Sequence, residues 1–104
     1  MPLLVDSHAH LEMLLNVEGA VGRARLAGVG AIIAVGSNPE SNLGIQAISR
    51  RNTGYVLPAF GLHPWDLPTY AEQGLSFLRD RVGECIALGE VGLDYWIRAE
   101  KPLQ

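Results

Sequence analysis

All three histidines of this chain fall in two short blocks, Asp6-Ser7-His8-Ala9-His10 and Gly61-Leu62-His63-Pro64-Trp65. A third block, Gly89-Glu90-Val91-Gly92-Leu93-Asp94-Tyr95, adds two carboxylates. Imidazoles and carboxylates are the side chains that hold divalent metal ions for hydrolytic chemistry. The spacing of His8 and His10 matters. In an extended segment the side chains at i and i+2 point to the same face, so two imidazoles can aim at one point. Asp6 or a backbone carbonyl can hold the other ring nitrogens and fix the tautomers. Glu90, arriving from a distant segment, can complete such a site or bridge two metals.

Each feature also has a plainer reading. An H-x-H pair alone suits surface or capping histidines. His63 before a proline suits a turn, and Glu90 between glycines suits a solvated loop. Cys85 sits in an apolar run and reads as a buried structural thiol rather than a nucleophile. Trp65, Tyr95 and Trp96 suit stacking on nucleobases, and equally suit capping a barrel or packing on a neighbour.

What gives the blocks their weight is where the secondary structure puts them. Leu3-Leu4-Val5 is a first apolar run, ended by Asp6. Asn16 is an N-cap for a helix over about 17–27, with Val17, Val21 and Ala24 on one face and Gly28 as its stop. Gly30 to Val35 is a continuous apolar run, the pattern of a strand buried on both faces. Asn38 and Pro39 start a second helix that runs to about Arg51. Tyr55 to Phe60 reads as a third strand, against which Pro58 counts because it lacks a ladder donor. Thr69 and Glu72 form a capping box for a third helix. Its buried stripe is expected at Ala71, Leu75, Leu78 and Val82. Glu84 to Leu88 is the fourth strand.

The order is therefore β-α-β-α-β-α-β, an α/β arrangement that predicts right-handed crossovers and a parallel sheet. A parallel sheet brings the C-terminal ends of its strands to one rim, where such folds build active sites. The three blocks follow strands one, three and four, and Gly36-Ser37-Asn38 follows strand two. Every histidine is thus expected at that rim, together with Glu90 and Asp94.

Composition narrows the functional classes. The chain has 104 residues and a net charge of -3 without a basic block, so no extended electrostatic footprint on nucleic acid is expected. A cation at a metal site can still attract one strand end. Hydrophobic residues make up 48%, but the apolar runs are far too short to span a membrane. The start, MPLLVDSHAH, lacks a basic n-region, so no secretory signal is expected. A single cysteine fits a reducing cytoplasm.

Together, DSHAHLE at 6–12, GLHPW at 61–65 and GEVGLDY at 89–95 resemble the N-terminal signatures of the TatD deoxyribonucleases, of the amidohydrolase-like group. The order and spacing of the blocks match as well, and the resemblance runs from Val5 to about Gln104. It implies a (β/α)8 TIM-type barrel and divalent-metal hydrolysis of DNA phosphodiester bonds by an activated water. It implies His8 and His10 as ligands of one metal and Glu90 as a ligand near or between two. His63 would contact substrate phosphate or support the site, and Asp6 and Asp94 would have supporting or substrate-contacting roles. One or two ions are implied, of Mg²⁺, Mn²⁺ or Zn²⁺ type. The implied partner is DNA, as a single strand or strand end.

A full barrel needs about 250 residues, so one domain over residues 1–104 is expected to form only the N-terminal half of one. In the family, further histidines and an aspartate come from later strands. The tail from Ile97 to Gln104 resembles the start of the next family helix. An open half-barrel exposes two strand edges and an apolar inner face. The chain then reads as a shortened form of the nuclease, as a half that self-associates or pairs with a second chain to close the barrel, or as a catalytically incomplete fragment or interaction module. An amidohydrolase-like enzyme acting on an amide or ester is a further alternative.

Overall fold

The computed structural model describes residues 3–96. The helix expected to begin at Ile97 lies outside them. The elements are β1 (Leu4–Ala9), α1 (Val17–Leu26), β2 (Val29–Val35), α2 (Pro39–Arg51), β3 (Val56–Phe60), α3 (Leu67–Arg81) and β4 (Ala87–Leu88). Single 3₁₀ turns lie at Leu11–Met13, Pro64–Asp66 and Val82–Glu84. The four strands form one sheet in the order β1-β2-β3-β4, every neighbouring pair parallel. This is the half-barrel pattern of strands and helices that the sequence implies.

The first two helices start where their caps dictate. The Asn16 side chain accepts from the Gly19 backbone N–H at 3.1 Å. The Asn38 side chain accepts from Ser41 N–H at 3.0 Å, and the Asn38 N–H in turn donates to Ser41 Oγ. Each cap satisfies donors that a helix start leaves unpaired. Gly28, at φ 95°, turns the chain from α1 into β2 in a conformation that other residues reach only with strain. Between helices and sheet lies a core of Phe60, Ile45, Val56, Ile32, Ile48 and Val21.

Four expectations need correction. Strand β1 does not end at Asp6. Its ladder with β2 continues to Ala9, opposite Ala34, through a register shift between Asp6 and Ala9. Backbone pairing carries the strand past its apolar run, so the first histidine stands within the strand. Strand β4 is shorter than expected, because Val82–Glu84 forms a 3₁₀ turn and only Ala87 and Leu88 pair with β3. Pro58 remains inside β3, where its carbonyl accepts from Ile86 N–H at 2.9 Å.

Helix α3 differs twice. It begins at Leu67 with a proline in its first turn, so Thr69 lies inside it rather than at its cap. Proline's fixed φ suits that opening turn. Its inner face is also turned from the expected stripe. Leu75 and Val82 are about half exposed, while Gly74 is buried and Phe77 and Leu78 pack on the core. A Cβ at Gly74 would meet Leu62 Cδ1 at 2.6 Å, so glycine sets the contact line. The Phe77 ring meets Phe60 edge-on at 5.3 Å.

Both edge strands leave apolar side chains in solvent. Leu4, Val5 and Leu88 are all at least 48% exposed. Among the described residues no helix is long and apolar enough to cross a membrane.

Candidate metal centre

The rim is assembled mainly by backbone hydrogen bonds between strand ends. Gly36 N–H donates to Ala59 O at 2.9 Å and Gly89 N–H to Phe60 O at 2.8 Å. Beyond the strands, His63 N–H donates to Ser37 O at 2.8 Å and Leu62 N–H to Glu90 O at 2.7 Å. The loops carrying Ser37, His63 and Glu90 are thereby tied edge to edge.

This frame needs residues without side chains. A Cβ at Gly61 would lie 2.5 Å from Glu90 O, 2.7 Å from Glu90 N and 2.7 Å from Gly36 O. All three are backbone atoms and cannot rotate aside. Behind the frame stands Asn42 of α2, fully buried. Its Nδ2 donates to Gly61 O at 2.9 Å, and its Oδ1 accepts from Gly61 N–H at 3.0 Å. One side chain thus satisfies both backbone groups of the glycine at the end of β3.

On this frame His8, His10 and Glu90 converge. Glu90 Oε1 lies 3.1 Å from His8 Nε2 and 3.2 Å from His10 Nε2. The three ligand atoms all lie within 4.8 Å of one another, and the imidazoles meet edge to face at 5.0 Å. His10 Nδ1 lies 3.0 Å from Val35 O. A carbonyl only accepts, so Nδ1 carries the proton, and in the neutral ring Nε2 presents a lone pair to Glu90. Two acceptors facing each other at 3.2 Å call for a positive charge between them, a ring proton or a cation. Ligands bonded at about 2.0–2.2 Å in a tetrahedral shell stand about 3.4 Å apart. The two glutamate–histidine separations, 3.1 and 3.2 Å, lie close to this value, and two imidazoles with a carboxylate suit a divalent ion.

The other predicted residues sit around this trio. Asp6 Oδ1 accepts from the His8 backbone N–H at 3.1 Å and so supports the strand rather than an imidazole; the ring of His10 is held by the Val35 carbonyl instead. His63 Nδ1 accepts from Trp65 N–H at 3.1 Å, which leaves Nε2 to carry the proton on the neutral ring. Asp94 accepts from the Trp65 indole N–H and, at 3.0 Å, from Trp96 N–H. Two open clefts of about 370 Å³ each share His63 and Glu90. The first adds Pro64, Gly89, Val91, Leu93 and Asp94; the second adds His10, Met13, Ser37, Trp65 and Asp66. Cys85, partly buried against the core, donates its Sγ–H to Val82 O at 3.2 Å.

Two residues escaped the sequence reading. Asn42 is one; an asparagine inside a helix is a poor helix former, and that misfit was its signal. Glu12 is the other. Its Oε1 lies 3.9 Å from His10 Nδ1, and its Oε2 is buried without a hydrogen-bond partner. Burial pushes the Glu12 carboxyl above the usual carboxylate range; the charge of Glu90 adds to this, and its own backbone N–H and His10 oppose it. Its only sequence signal was its place at the end of the first block.

Most of the chain is similar to known proteins. The family model described as TatD related DNase matches residues 5–104. Human deoxyribonuclease TATDN3 is 30% identical over 105 residues, covering 88% of this chain and 38% of that protein. The 3'-5' ssDNA/RNA exonuclease TatD of Cronobacter sakazakii is 36% identical over 77 residues, 72% of this chain and 29% of its own length. YjjV of Escherichia coli, described as an uncharacterized metal-dependent hydrolase, is 31% identical over 97 residues, 86% of this chain and 37% of its own. The crystal structure of YjjV superposes with a TM-score of 0.78 at 28% identity, covering 95% of this chain and 40% of that one. The chain therefore spans about two fifths or less of the length of these relatives.

Proposed function

This chain belongs to the TatD-related DNase family, and from that premise we propose that it contributes the first metal-binding half of a hydrolase acting on DNA phosphodiester bonds. The observation that carries this reading is Glu90 Oε1 standing 3.1 and 3.2 Å from the Nε2 atoms of His8 and His10. His8, His10 and Glu90 would hold a divalent cation. Such a cation, when bound, supplies Lewis-acid polarisation and a water of lowered pKa.

The remaining roles belong to the chain's own atoms. The Val35 carbonyl fixes the His10 tautomer and keeps its Nε2 lone pair toward Glu90. His63 Nε2–H is a donor suited to a phosphate oxygen in the cleft it shares with Glu90. Asp6 holds the strand backbone at His8. Asp94 orients Trp65. A cytoplasmic location, a single domain over residues 1–104 and a single-stranded substrate belong to the same proposal, as does closure of the barrel by a second copy or another chain.

The test is elemental analysis of protein purified without chelator, beside a His8→Ala/His10→Ala variant, followed by digestion of labelled single-stranded DNA with Mg²⁺, Mn²⁺ or Zn²⁺. About one or two equivalents of metal, lost in the variant, and cleavage that depends on it are expected. A chain that binds no metal and leaves DNA intact would sink the proposal.

A further inference from the structure

Trp65 has no part in holding a metal, yet the fold fixes it with care. It follows buried Pro64 in the turn after β3. Its backbone N–H is bonded to His63, its ring meets the His63 ring edge to face at 5.0 Å, and its indole N–H is held by Asp94 from the loop after β4. Two loops therefore orient one indole. It is nonetheless 42% exposed, too open for a core residue. It lines the cleft that also contains His10, His63 and Glu90. Met13, 76% exposed, lines the same cleft and offers a soft, adaptable apolar surface. The cleft's volume lies in the range that takes a small ligand.

We propose that Trp65 is a stacking platform for a nucleobase, seated beside the phosphate whose ester bond meets the His8–His10–Glu90 group. The proposal rests on the nuclease reading and deepens it. An indole already tethered at its N–H loses little freedom when a base stacks on it. Its face accepts any base, because every base has a π-face, so the contact favours unpaired strands without reading their sequence. A base inside a duplex has both faces covered and cannot use it.

The probe is a phosphorothioate-linked oligothymidylate of about eight nucleotides, carrying a fluorescent label, and an abasic strand of the same length and linkage. Anisotropy is read with Mn²⁺ supplied, for the wild-type chain, Trp65→Ala and Trp65→Phe. Trp65→Ala is expected to weaken the oligothymidylate about 5- to 150-fold. Trp65→Phe should recover most of that, and the abasic strand should bind wild type and Trp65→Ala alike. In a Trp96→Phe background the remaining indole fluorescence should be quenched by the oligothymidylate and not by the abasic strand. Equal affinity of wild type and Trp65→Ala for the oligothymidylate would overturn the platform and leave the nuclease reading standing. An equal loss for both strands would also overturn it, as damage to the loop. No binding of either strand by the wild-type chain would overturn both.

Discussion

Replacing Asn42 by leucine tests whether the rim is held from behind. The change keeps approximate size and removes both hydrogen bonds to Gly61, at 2.9 and 3.0 Å. Asn42 and Gly61 are both buried, so no water replaces the lost partner. A buried polar group left unmade costs about 1–3 kcal/mol, and two are left. The apolar gain of leucine offsets part of this, which sets the expected loss at about 3 kcal/mol. For a domain of this size that lowers Tm by about 12–24 °C. The assay is urea unfolding followed by circular dichroism, with m-values compared to keep the reading to stability. Asn42→Asp gives an independent handle. Its carboxylate can accept from Gly61 N–H but faces the Gly61 carbonyl with an oxygen that cannot donate. A protonated carboxyl can donate. The folded-state pKa of this aspartate should therefore lie above its unfolded value. Its stability should be highest in acid and fall as pH rises through the folded pKa. An Asn42→Leu loss below about 0.5 kcal/mol, within the range of a neutral surface change, would refute the clamp, as would an Asn42→Asp variant with no such pH dependence.

Gly61→Ala should destabilise by about 1–3 kcal/mol and lower metal retention together, because the nearest atoms to the added methyl are backbone atoms of Glu90 and Gly36; thermal melts and elemental analysis on one preparation read both. Glu12→Gln tests the buried carboxyl. Because folding raises the Glu12 pKa, the native state binds the proton more tightly, and wild-type stability falls as pH rises from the unfolded value through the folded one. The variant lacks that penalty, so its stability relative to wild type should be greater at pH 7 than at pH 4, as melting curves at the two values will show; the reverse order would mean that the Glu12 anion is stabilised by the fold.

Much of this was legible where local chemistry decides. Asn16 and Asn38 announce their helices because cap bonds form within three residues, and the order of strands and helices follows from apolar runs separated by such caps and turn residues. The placement of His8, His10 and Glu90 followed from that order, since parallel strands share one rim. What was not legible depends on distant partners. The inner face of α3 is chosen by Leu62 and Phe60 meeting Gly74 and Phe77, not by the spacing of leucines within the helix. The length of β1 is set by its ladder to β2, so polar Asp6, Ser7 and His8 are strand residues despite their types. Asn42 gave no sign of its target, because Gly61 lies 19 residues away and is reached only through the tertiary fold. The carbonyl that orients His10 belongs to Val35, a residue whose side chain says nothing of the role.

The backbone ties between rim loops have an evolutionary consequence. Peptide groups are the same at every position apart from proline, so a seam stitched by Leu62 to Glu90 and by His63 to Ser37 is blind to most side chains it carries. Selection can then exchange the chemical groups displayed on these loops without dismantling what displays them. The identities that resist exchange are the ones with nothing to display: Gly61, where a methyl would wedge the seam open, and Gly36, whose bareness admits the amide of Asn42.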